Sequence, residues 1–200
     1  EYRVAAGLAF WACRLAWWRW VVGMKRRRFL TEDWLVLGLN ALSDNGPEAV
    51  KLVPICQAAG LTRGSFYHHF DDHTTFLVKM TEHWFKQQTQ QVAAQVEHLQ
   101  DPEARATKLN DAALAIDYKL ELGIRELARR NRHVAAIVAR ADDMRLSVLA
   151  DLYAQRFGID QETARDMAFL EYAAFAGLIL IAPDLRAEKQ STLSARYDAM

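Results

Sequence analysis

Apolar residues return at every third or fourth position along much of this chain, and that rhythm confines it to helices. Leu35, Leu39 and Leu42 keep the spacing, as do Val134, Ile137, Ala141, Met144, Val148 and Leu152, and then Met167, Leu170, Ala174, Gly177 and Ile181. No strand pattern, internal repeat or low-complexity tract interrupts it. The expected fold is all-α.

Polar and breaking residues divide the rhythm. Thr31 can cap a first helix whose opening turn carries Glu32 and Asp33, and Asn45-Gly46 ends it. A short second helix starts near Pro54, carries Ile55, Cys56 and Ala59, and breaks at Gly60; Thr62 caps a third. Beyond Leu77 a helix continues to the boundary at Asp101-Pro102. Helices are then expected at roughly 103 to 116, 117 to 130, 133 to 157 and 161 to 181, with Asn131 and Gly158-Ile159-Asp160 as breaks.

Two short helices about Gly60 make a helix-turn-helix, in which the second helix enters the DNA major groove. Cys56 stands four residues before Gly60, where the helices cross and only a small side chain fits. Leu61 and Phe66 can close the core between them. Thr62, Arg63, Gly64 and Ser65 fill the exposed first turn, where hydroxyls and a guanidinium can reach base edges.

The run Gly60, Leu61, Thr62, Arg63, Gly64, Ser65, Phe66, Tyr67, His68, His69 and Phe70 resembles the DNA-binding signature of the TetR/AcrR transcriptional regulators. The resemblance covers residues from about Phe29 to Leu77, and the later helices more loosely. It implies an all-α homodimer, with a three-helix DNA-binding domain at 24–77 and a helical ligand-binding and dimerisation domain at 78–200. It further implies that Arg63, Gly64 and Ser65 face bases, while Tyr67 and His69 meet the phosphate backbone, with His68 and Thr62 in the same DNA-facing set. One position departs from the family, which usually has lysine at the start of the next helix. Here His73 follows Asp71 and Asp72, two carboxylates that repel phosphate. Histidine titrates near ~6.5, which would make that contact weakly pH-dependent. Lys51, ahead of the second helix, can compensate. The cluster Lys25, Arg26, Arg27 and Arg28 forms a basic arm placed to run along the DNA backbone or into the minor groove.

Global charge adds nothing to the DNA case, because 25 basic and 25 acidic residues cancel. Two cysteines, Cys13 and Cys56, are too few for a disulfide framework or a zinc site, and a reducing cytoplasm fits them best. His69 and His73 are four apart, with His68 and His83 nearby, yet a helix break between Phe70 and Thr74 spoils a shared face; no metal is expected. Asp117, Glu121, Asp142, Asp143 and Glu171 read as solvated or salt-bridged helix faces. Without Glu-x-x-His pairs, a nucleophile motif or a glycine-rich phosphate loop, neither an enzyme nor a cofactor is expected.

Residues 1–23 read differently. Their apolar run approaches the ~20 residues that span a bilayer, but Arg14 and Arg19 lie inside it, each costing roughly 2.5 to 3.5 kcal/mol at a membrane centre. With Met24 as a plausible start, the segment is expected to be an extension outside the fold rather than a membrane anchor.

The two late stripes suggest a subunit interface built from Met144, Val148, Leu152, Met167, Leu170, Ala174 and Gly177, with Ala173 and Ala176 allowing close approach. A ligand pocket is expected between Trp84 and Arg156, with Trp84, Phe85, Tyr118 and Tyr153 as candidate liners. The expected function is a dimeric repressor on a palindromic operator, released by a small molecule. A ligand-independent architectural or division-control protein of the same fold is the alternative, and an all-helical enzyme a more distant one.

Overall fold

Helix α1, Thr31–Asn45, buries Trp34, Gly38, Leu39 and Leu42 along one face, and half-buries Leu35. It stops at Gly46, whose φ of 73° suits glycine and whose N–H reaches the Leu42 carbonyl at 2.9 Å. The computed structural model describes residues 28–182, 184–185 and 187–198, so the expectation for residues 1–23 lies outside the described residues. Arg28, Phe29 and Leu30 carry no regular structure, and Thr31–Met200 is a compact unit of its own.

A 3₁₀ turn, Pro47–Val50, leads into α2, Leu52–Ala59. Pro54 sits in the first turn of α2, where its missing N–H removes no helical bond. Gly60 ends α2 in the left-handed region, with its N–H on the Gln57 carbonyl and the Leu61 N–H on that of Cys56. Thr62 caps α3, Arg63–Tyr67, by accepting the Ser65 N–H at 3.2 Å. Asp72 caps α4, His73–Phe85, by accepting the Thr75 N–H at 2.6 Å, a bond that holds its carboxyl below the ordinary range.

The expected boundary after Leu77 falls inside α4, which runs on through a π-helical segment, Lys86–Gln90, into α5, Gln91–Glu97. Then follow α6, Pro102–Leu114, α7, Tyr118–Arg130, α8, Arg132–Phe157, and α9, Gln161–Ile181, capped by Asp101, Asp117, Asn131 and Asp160 in turn. α10, Ala187–Asp198, lies beyond the last helix expected from sequence. The all-α expectation holds: the described residues contain helices and turns but no strand.

α8 is the central post, packing against α4, α7 and α9. Where it meets α9 the contact is made of Ala150, Ala164 and Ala168, ringed by Leu146, Leu149 and Tyr153. α1 lies against both α4 and α7. A Cβ on Gly38 would stand 2.7 Å from Met80 Sδ and 2.8 Å from Phe76 Cζ, and one on Gly123 of α7 would stand 2.8 Å from Leu42 Cγ. At both glycines a side chain of the neighbouring helix packs directly onto the glycine, leaving no room for a Cβ.

Candidate DNA interface and internal cavity

The crowded rings after Gly60 divide by direction. Phe66 and Phe70 turn inward, where Phe66 meets Trp34 edge-on at 5.4 Å and Phe76 at 5.3 Å, and Phe70 lies 5.2 Å from Phe76. Such pairs add about 0.5 to 1.5 kcal/mol each beyond burial. Ile55 and Cys56 complete this core from α2, both buried. The consequence is a short, rigidly backed α3 whose other side chains face out. Thr62, Arg63, Gly64, Tyr67 and His68 are exposed and Ser65 is half-buried.

The remaining expected contacts are tied into the scaffold. Thr31 Oγ1 lies 3.0 Å from His69 Nδ1, joining α1 to the end of α3. His73 Nε2 lies 2.8 Å from the Val50 carbonyl, so this ring, read from sequence as facing phosphate, braces the turn before α2. Lys51 is exposed but pairs with Glu48, which also meets Arg130 of α7 at 3.4 Å. The Lys51 ammonium is the main cause holding the Glu48 carboxyl below its usual range. That pairing offsets the charge Lys51 would bring to DNA. Of the basic arm, Lys25, Arg26 and Arg27 lie outside the described residues, and Arg28 is exposed.

α7 is fastened to α1 and the 3₁₀ turn along its length. Ser43 of α1 donates to the Asp117 carboxylate at 2.5 Å, Gly123 sits beneath Leu42, and Arg130 reaches Glu48.

Behind α7 lies a polar knot. Glu121 is 1% exposed, yet it accepts from Arg145 Nη2 at 2.8 Å and Nη1 at 3.3 Å. Arg145 also donates through Nε to Thr89 at 3.0 Å, and its guanidinium lies 5.2 Å from the centre of the Trp84 ring. Arg125 grips Asp142 with two bonds of 2.8 and 3.0 Å. The Tyr172 hydroxyl joins the pairs, donating to Asp142 at 2.6 Å and accepting from Arg125 and Arg145. Burial is the largest influence on Arg145 and opposes its charge, but Glu121 and Tyr172 together outweigh it and move the guanidinium pKa upward. Burial raises the Tyr172 phenol. The acidic residues read from sequence as helix-face charges thus include one, Glu121, that is wholly interior.

Beside the knot is a cavity of about 530 Å³, lined from α5, α6, α8 and α9 by residues such as Val92, Leu109, Leu149, Tyr153, Phe175 and Leu178. Tyr153 lines it as expected. Trp84, Phe85 and Tyr118 do not; they are buried in packing, and α9 supplies wall that the expected range to Arg156 omitted. Met144, Val148 and Leu152, grouped from sequence with a subunit interface, line this same cavity, because their face of α8 turns inward. Met167 and Leu170 of α9 are exposed, Ala174 is exposed and also borders the cavity, and a Cβ on Gly177 would meet no atom within 4 Å. Among the described residues no three His, Cys, Asp or Glu side chains gather as a metal site, and no helix is long and apolar enough to cross a membrane.

A packed aromatic core presenting a short polar helix, joined to a helical body with a ligand-sized cavity, is a helix-turn-helix architecture. Residues 35–78 match the bacterial regulatory proteins of the tetR family. Residues 35–78 thus carry the DNA-binding domain of that family, and the helices of the chain take the fold of solved TetR/AcrR regulators. A transcriptional regulator from Rhodococcus sp. Rha1 superposes with a TM-score of 0.65 at 18% identity, over 76% of this chain and 83% of that one. A regulator from Saccharomonospora viridis in complex with choline gives 0.67 at 15%, over 80% and 90%. FadR from Bacillus subtilis in complex with stearoyl-CoA gives 0.57 at 15%, over 80% and 92%. No curated protein matches the sequence.

Proposed function

We propose that the chain is a cytoplasmic, homodimeric repressor that binds a palindromic operator through α3 and leaves it when a small molecule enters the cavity. The observation that carries this reading is the outward set on α3, Thr62, Arg63, Gly64, Tyr67 and His68, backed by the Phe66–Phe70 core. The cavity favours a ligand-responsive protein over a ligand-independent architectural one, and fold neighbours holding choline and stearoyl-CoA support that preference. The apolar row on α9 supports pairing of two copies, so that two α3 helices meet two half-sites.

Arg63 tests the base-reading role. It is the only cation in the first turn from Thr62 to Ser65, and an arginine paired to guanine supplies about 1 to 3 kcal/mol of discrimination. Arg63→Ala should relax preference at one operator position per half-site. Replacing Arg26, Arg27 and Arg28 together by alanine should instead weaken binding to all sequences alike and flatten the salt dependence. Affinities for matched and singly substituted operators across a salt series separate the two. Uniform loss in Arg63→Ala, with sequence preference intact, would make Arg63 a phosphate contact.

A further inference from the structure

The charged groups in the cavity wall are already matched from within the chain. Arg145 commits one N–H at Nε to Thr89, two at Nη1 to Glu121 and Tyr172, and one at Nη2 to Glu121. A guanidinium has five N–H groups, so one is left, too few for the bidentate grip that binds a carboxylate most strongly. Arg156, also in the wall, pairs with Glu103 at 2.8 Å. Asn110 and Glu171 are engaged as well. The Tyr172 hydroxyl gives its one proton to Asp142 and receives two bonds, which fills its capacity. An ionic ligand would therefore have to break the buried Arg145–Glu121 pair, which is costly, or compete at the cavity's edge with the exposed Arg156–Glu103 pair in water, where ion pairs contribute little.

Most of the remaining wall is apolar. Two polar side chains in it, Gln88 and Tyr153, make no side-chain hydrogen bond among the described residues; Gln88 is exposed and Tyr153 half-buried. We propose that the cavity binds an uncharged small molecule with a mainly apolar body and a single hydroxyl or carbonyl head, held by a hydrogen bond at Tyr153. Calling that molecule an effector rests on the ligand-responsive reading above; its binding does not.

Calorimetric titration of the full chain with 1-decanol below its solubility limit, and with decanoate and decyltrimethylammonium below their micelle concentrations, compares three heads on one alkyl length. Decanol should bind at least tenfold more tightly than either ion. Tyr153→Phe keeps the ring and should weaken decanol about fivefold to tenfold, the worth of one hydrogen bond. Val148→Trp, which fills the space, should abolish binding; if that variant does not fold, Tyr153→Phe decides alone. Tighter or equal binding of either ion, no binding of any probe, or decanol affinity unchanged in Tyr153→Phe overturns the proposal. DNA binding is read separately by fluorescence anisotropy. A chain that binds decanol but no DNA keeps the ligand class and loses the regulator, while one that binds operator but not decanol loses the ligand class alone.

Discussion

Gly177→Glu is expected to separate the proposed dimer into folded monomers and to lower operator affinity at least a hundredfold. The subunit itself has room for the new side chain, since no atom lies within 4 Å of a Cβ at that position. What surrounds it on α9 is an apolar row, with Leu170 65%, Leu180 70% and Ile181 79% exposed in the single chain. A contiguous exposed row of this kind marks an association surface, and a two-fold axis lets one helix face pair with its own copy. At the centre of such a pairing a carboxylate would lose its water and gain no partner, an outcome worth several kcal/mol against association. Linking two half-site contacts contributes roughly 10²- to 10⁴-fold in avidity, which the monomer forfeits. Sedimentation reads the assembly and circular dichroism the fold. A variant that remains dimeric would place the interface on another face.

Arg145→Met should be the most destabilising single change in the body of the protein. It removes the main partner of Glu121, a carboxylate 1% exposed, and breaking a buried pair from one side costs about 3 to 5 kcal/mol. Arg125 Nη2, 3.9 Å from Glu121, remains to offset part of the loss. The lower end of that range, about 3 kcal/mol, corresponds to a fall in Tm of about 10 °C for a chain of this size. The double change Glu121→Leu with Arg145→Met deletes both charges and should recover most of the stability, because an apolar pair of similar volume can replace a buried ion pair. If the single variant melts within a degree or two of the wild type, Glu121 is not held by Arg145 in the way the bond geometry states.

The order of helices was legible because this chain marks its breaks with chemistry. Asp101, Asn131 and Asp160 each announce a helix start, and each accepts N–H groups of the following turn. Gly60 and Gly158 announce ends, and both sit at positive φ. The layout of the turn after Gly60 was legible for the same reason, since the Thr62 cap, the inward Phe66 and the outward polar residues follow from local spacing.

Less visible was what each stripe faces. The rows on α8 and α9 have the same period, yet Leu152 is 2% exposed and Leu170 65%. Periodicity identifies a helix face, not its neighbour. Aromatic type was equally silent about the cavity, where Tyr153 lines the wall but Trp84 and Tyr118 are packed away. The partner of Glu121 was hidden by distance in the chain, because Arg125 at four residues is the visible candidate while Arg145 makes the close bond. The π-helical segment had no signal in Lys86–Gln90. Within it Thr89 is buried and accepts from Arg145, a contact made by the tertiary fold rather than by propensity.

The central claim is that α3 reads DNA sequence as one half of a two-fold pair. Selection of bound fragments from random duplex DNA by the purified chain tests it most directly. The account predicts enrichment of a palindrome whose half-sites are related by about one helical turn, with affinity falling steeply as salt rises. Recovery of fragments with no shared sequence, or of a single unpaired half-site bound as tightly as any palindrome, would contradict it.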